Sequence, residues 1–140
     1  MSQKFTIQRV LLIFPAALAF TIGLLAIFVP KTLMLIYEIP MSDIFIQTPH
    51  FIGIITIMGL ALVGLGIICL WMRTLTDRKA MKGGMTCISI IIFLFGVESI
   101  FEPFFIKGMT FNIVTVITGV ILPILAVLLF IYRNPKNATN

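Results

Sequence analysis

Four long apolar runs, Val10 to Pro30, Phe51 to Met72, Gly84 to Phe105 and Asn112 to Tyr132, leave this chain few ways to fold. A hydrocarbon core of roughly 30 Å is crossed by about 20 helical residues at 1.5 Å each, and every run is long enough. Backbone amides find no water in that core, so they must pair within a helix or within a closed barrel. Barrel strands alternate apolar and polar residues, whereas these runs are continuously apolar, which selects helices. The expectation is an all-α membrane protein, a single four-transmembrane-helix bundle over residues 1–140. Composition agrees: 60% of the residues are hydrophobic and 11% charged, against about a quarter charged in soluble domains.

The first run is uncharged from Val10 to Val29. That is longer than the roughly 7–15-residue apolar region of a secretory signal, so it is expected to be a retained span although Ala17-Leu18-Ala19 has the form of a cleavage site. Basic residues set the orientation. Lys4, Arg9, Arg73, Arg78, Lys79, Lys82, Arg133 and Lys136 fall on one side of the four runs, and only Lys31 and Lys107 on the other. Short loops rich in Lys and Arg stay cytoplasmic, so both termini and the Trp71–Lys82 segment are expected in the cytoplasm of a bacterial cell, with the bundle in its inner membrane. The net charge of +5 then reflects topology and attraction to anionic lipid, and nucleic acid is not an expected partner. On the other side, Lys31 to His50 is the one long connection. Its apolar residues suit a segment lying on the membrane surface, and Pro40 and Pro49 interrupt any continuous helix.

Small residues recur at helical spacing within the runs: Ala19, Gly23 and Ala26 in the first, Thr56, Gly59, Val63 and Gly66 in the second, Thr115 and Gly119 in the fourth. Such faces let backbones approach closely in lipid, so Gly23, Gly59, Gly66 and Gly119 are the expected packing positions. Pro15 and Pro123 are expected to kink their helices.

Reactive chemistry is sparse. Cys69 and Cys87 form no CxxC and are expected to be apolar fillers. His50 is the only histidine, so a histidine-rich metal site is impossible. No phosphate loop, nucleophile elbow or dinucleotide fingerprint is present; no catalytic residue, metal or cofactor is expected. What stands out is "FLFGVESIFEPFFIKG", Phe93 to Gly108, which carries Glu98 and Glu102 one helical turn apart in one of the most apolar stretches. Counted from Gly84, Glu98 falls roughly 21 Å along the helix, in the outer third of the core, and Glu102 falls near its edge, before Pro103. Carboxylates inside spans are costly and usually mark function. Glu98, with Glu102 and His50 at the outer mouth, is therefore a candidate site for a cation, a proton or a positively charged ligand. The structural alternative is a hydrogen bond from Glu98 to Thr115 or Asn112 that fixes helix register.

The layout, with "GLLAIFVPKTLMLIYEIP" closing the first span, "GLGIICLWMRTLTDRKAMKGG" closing the second on a basic turn, and two spans after it, resembles the small bacterial four-helix membrane proteins of the DoxX-like families. The resemblance covers nearly the whole chain and implies an inner-membrane bundle; it carries over no catalytic residue. Small multidrug exporters also have four spans and a membrane glutamate, but theirs is in the first helix, where this chain has no acid. The leading functional expectation is an accessory or interaction protein, with another membrane protein or a second copy of the chain as partner besides the lipid bilayer. The alternative is a transporter or ligand-binding protein that uses Glu98.

Overall fold

A computed structural model describes residues 6–36, 49–105 and 112–134, apart from the side chains of residues 102 and 103. Among the described residues six helices follow in order: α1 (Thr6–Leu11), α2 (Ile13–Phe28), α3 (Pro30–Ile36), α4 (Pro49–Met72), α5 (Arg78–Phe105) and α6 (Ile113–Ile131). No strand occurs among the described residues. Among the described residues four helical stretches are long and apolar enough to cross a membrane: Thr6–Phe28, Pro49–Met72, Arg78–Phe101 and Ile113–Ile131. The chain is an all-helical membrane bundle.

Prolines account for several helix boundaries. Pro15 has no N–H, and its ring crowds the carbonyl four residues earlier, that of Leu11. The helix is interrupted at Leu12, directly after that carbonyl. Leu12 keeps right-handed helical angles, φ −72° and ψ −13°, and its N–H still donates to the Gln8 carbonyl at 3.0 Å, so α1 and α2 act as one span. Pro30 and Pro49 each occupy the first position of a helix, where the missing N–H has no intrahelical partner to lose. The expected surface connection thus begins as helix α3 and ends at α4; its residues 37–48 lie outside the described residues. Helix α5, the third span, starts at Arg78, earlier than the apolar run at Gly84, because the Asp77 carboxylate accepts from the Ala80 N–H at 2.7 Å and caps it. Asn112 caps α6 in the same way, accepting from Thr115 N–H at 2.8 Å.

The helices associate as two antiparallel pairs, α2 with α4 and α5 with α6. In the first pair a Cβ on Gly23 would lie 2.8 Å from the Gly59 carbonyl oxygen, and the Phe20 ring covers Gly66. In the second pair a Cβ on Gly96 would collide with the Pro123 ring, while Gly119 meets Ile100. Ser89, buried on α5, donates to the Ala126 carbonyl of α6 at 2.7 Å. Glycine at these places permits the approach that dispersion contacts and hydrogen bonds need in lipid.

The two pairs join at the basic end. Leu12, Cys69, Met72, Met81, Met85, Ile88 and Leu129 form a buried cluster there, drawn from both pairs. Polar side chains tie its rim: Gln8 Nε2 donates to the Tyr132 carbonyl at 3.0 Å, and Arg9 Nη2 to the Leu75 carbonyl at 3.4 Å. Arg133 Nη1 donates to Thr86 Oγ1 at 3.4 Å and lies 3.5 Å over the Phe130 ring. Away from this end no such cluster continues among the described residues, and the pairs separate around a cavity.

Candidate functional site

The cavity has a volume of about 220 Å³ and begins where the core stops, since Ile92 belongs to both. Apolar side chains make most of its wall, among them Ile22 from α2, Met34 from α3, Leu62 from α4, Phe95 from α5 and Leu122 from α6. Leu18 and Met58 line it while remaining exposed, so the space communicates with the outside of the bundle.

Among the described residues, three side chains of the lining carry N or O atoms: Glu98 and Ser99 on α5, and Thr118 on α6. Their depth follows from the contacts of the second helix pair. Gly96 faces Leu122 and Pro123, and Ile100 faces Gly119. Glu98 lies between Gly96 and Ile100, so it is level with the middle of α6, a helix of 19 residues and therefore about 28 Å long. Along its own helix Glu98 lies near the end of the Arg78–Phe101 span that leads away from the basic end.

Its neighbours are arranged distinctively. Ser99 Oγ donates to the Phe95 carbonyl at 3.0 Å, and Thr118 Oγ1 lies 2.9 Å from the Val114 carbonyl and 3.1 Å from that of Thr115. A carbonyl only accepts, so each hydroxyl proton is committed to backbone and each hydroxyl oxygen keeps acceptor capacity alone. The hydrogen bond weighed for Glu98 with Thr115 or Asn112 does not form: Asn112 Oδ1 accepts from both the N–H and the Oγ1 of Thr115, at 2.8 Å each. Glu98 is exposed and makes no hydrogen bond or ion pair among the described residues.

The other candidates lie elsewhere. His50 is the exposed second residue of α4 and is not part of the cavity lining, so it is not brought together with Glu98. Glu102 continues α5 one turn beyond Glu98, and its side chain lies outside the described residues. Cys69 is buried in the core cluster, whereas Cys87 is exposed, and both are free thiols. Among the described residues no group of three or more His, Cys, Asp or Glu is placed to hold a metal ion. The sequence reading missed Ser99 and Thr118; a hydroxyl next to Glu98 and another near the middle of the facing span were the available signals. No family model, curated protein or solved structure matches this chain.

Proposed function

We propose that this chain is a multi-pass protein of a bacterial inner membrane, with its basic end in the cytoplasm, that binds a small, mostly apolar ligand between its two helix pairs through Glu98. One observation carries the reading: a carboxylate with no hydrogen-bonding or ionic partner among the described residues lines an open apolar cavity within a span. Ionisable groups there are expensive unless they serve a ligand, an ion or a proton, and an apolar cavity with a few convergent polar groups is the usual form of a small-molecule site. The orientation rests on the eight-to-two distribution of Lys and Arg. A photoreactive aliphatic diazirine, added to the protein in lipid nanodiscs, should label cavity residues saturably and should lose that labelling in Leu62→Trp, which fills the space. Labelling spread evenly over lipid-facing residues, or unchanged by Leu62→Trp, refutes the reading.

A second reading, an accessory protein of a membrane complex, is favoured by α4. Only 11% of its most apolar stretch is buried, against 28–33% in the other three spans, and Gly53 and Gly64 have open space where a side chain would stand. Native mass spectrometry from membranes checks it: a stoichiometric partner that Gly64→Leu removes supports this role, and a bare monomer counts against it.

A further inference from the structure

Resting on the ligand-binding reading, the chemistry of the cavity wall narrows the ligand class. Ser99 and Thr118 have spent their protons on backbone carbonyls, and an ionised Glu98 only accepts. Gly119 meeting Ile100 sets Thr118 within about one turn of Glu98 on the facing helix, and Ser99 is the residue after Glu98, so the three acceptors share one wall of the cavity. The remaining lining offers Leu, Ile, Met, Phe, Ala and Pro side chains and no donor among the described residues.

We propose that the ligand is a protonated amine bearing N–H groups on a short hydrocarbon body: its ammonium donates to Glu98, Ser99 and Thr118, while the body lies against the apolar wall of α2 and α4. Charge pairing supplies the neutralisation that a carboxylate at this depth lacks. Anions meet only acceptors among the described lining and are repelled. A quaternary ammonium matches the charge but donates nothing, so it would dehydrate the wall and leave the acceptors unpaired. The volume of about 220 Å³ is below the roughly 300–1,000 Å³ of pockets for drug-sized ligands, which favours a single short chain or ring.

The test uses the full chain in phosphatidylcholine nanodiscs, with empty discs as background, titrated calorimetrically with hexylamine, hexyltrimethylammonium and hexanesulfonate. Hexylamine is expected to bind saturably and hexanesulfonate not at all. Hexyltrimethylammonium should bind about tenfold more weakly than hexylamine, or less well still, as expected for losing hydrogen bonds to a charged group. Glu98→Gln should weaken hexylamine by at least about tenfold. Ser99→Ala combined with Thr118→Val, which leaves the charge in place, should weaken hexylamine but not hexyltrimethylammonium. Equal binding of the two cations overturns the amine proposal and leaves the ligand site standing. No saturable binding of any of the three, with the diazirine still labelling the cavity, also overturns the amine proposal alone; loss of both signals overturns the site as well.

Discussion

Gly23 and Gly59 approach so closely that a Cβ built on either would lie 2.8 Å from the other's carbonyl oxygen. The obstacle is backbone on both sides, so a side chain here cannot be accommodated by a rotamer change and must push α2 and α4 apart. Gly64, on the same helix, has nothing within 4 Å.

These two environments predict opposite outcomes for the same kind of substitution. Gly59→Leu should lower stability by about 1–3 kcal/mol, the usual cost of overpacking, and Gly23→Ala should act in the same direction. Gly64→Ala should be neutral or slightly stabilising, since alanine loses less backbone entropy in a helix. Leu60, 58% exposed, should tolerate Phe. Thermal melting in detergent gives the ranking, and equal losses at Gly59 and Gly64 would disprove the assignment of the contact.

The second pair gives a matching prediction at Gly96, where a Cβ would run into the Pro123 ring. That ring is rigid and belongs to a helix already short of one backbone donor. Gly96→Ala should therefore destabilise more than Gly119→Ala, whose nearest obstacle is the flexible Ile100 side chain, 2.6 Å from the added Cβ. If the Gly119 variant melts lower, the Pro123 contact is not the tighter one.

What was legible beforehand and what was not follows from the range of the forces. The spans announce themselves because each apolar run answers locally to the bilayer. Gly23, Gly59, Gly66 and Gly119 stood out because each shares a helix face with another small residue. Gly96 escaped notice: it sits between Phe95 and Val97, and its reason for being glycine lies on another helix, at Pro123. What lies level with Glu98 was hidden for a related cause. Sequence supplies distance along α5, whereas the level against α6 is fixed by the contacts of Gly96 with Pro123 and of Ile100 with Gly119. The cavity could not be read at all, because it depends on where the two pairs join and where they part.

The join at the basic end should bear load of its own. Met85 is fully buried in the cluster shared by both pairs. Met85→Ala should cost about 2 kcal/mol, the lower part of the range for such truncations, because lipid removes much of the transfer term and leaves the lost contacts. Cys87→Ala, at an exposed site two residues on, is the control and should change little. Indistinguishable melting curves would mean that this cluster does not hold the pairs together.

Orientation can be read directly with membrane-impermeant thiol reagents in whole cells. In a background carrying Cys69→Ala and Cys87→Ala, His50→Cys and Thr76→Cys place probes at two exposed positions at opposite ends of the bundle. Reagent added outside should modify the first and spare the second. Modification at position 76 alone would invert the topology inferred from the basic residues.

The sharpest separation of structure from function is expected at Glu98. A carboxyl that fixed helix register would be missed when removed, and Glu98→Leu would loosen the bundle. Here the side chain has no hydrogen-bonding or ionic partner among the described residues, while the groups weighed as its partners, Asn112 and Thr115, are hydrogen-bonded to each other through Asn112 Oδ1. Its replacement by leucine therefore breaks no bond among the described residues. Inserting the third span should become easier, by less than the roughly 2.5–3.5 kcal/mol that ionisable residues cost at a span centre, since Glu98 lies toward the end of Arg78–Phe101. Much of that saving applies equally to the unfolded chain within the membrane, so folding stability should be unchanged or modestly higher rather than raised by the full amount. Resistance to titration with sodium dodecyl sulfate, followed by circular dichroism, measures the folding part, and a translocation assay of the isolated third span measures the insertion part. A Glu98→Leu protein that inserts more readily, resists unfolding at least as well as the wild type and no longer binds hexylamine has lost a ligand site and kept its fold. A variant that unfolds earlier than the wild type would return Glu98 to a structural role and remove the main support for the site.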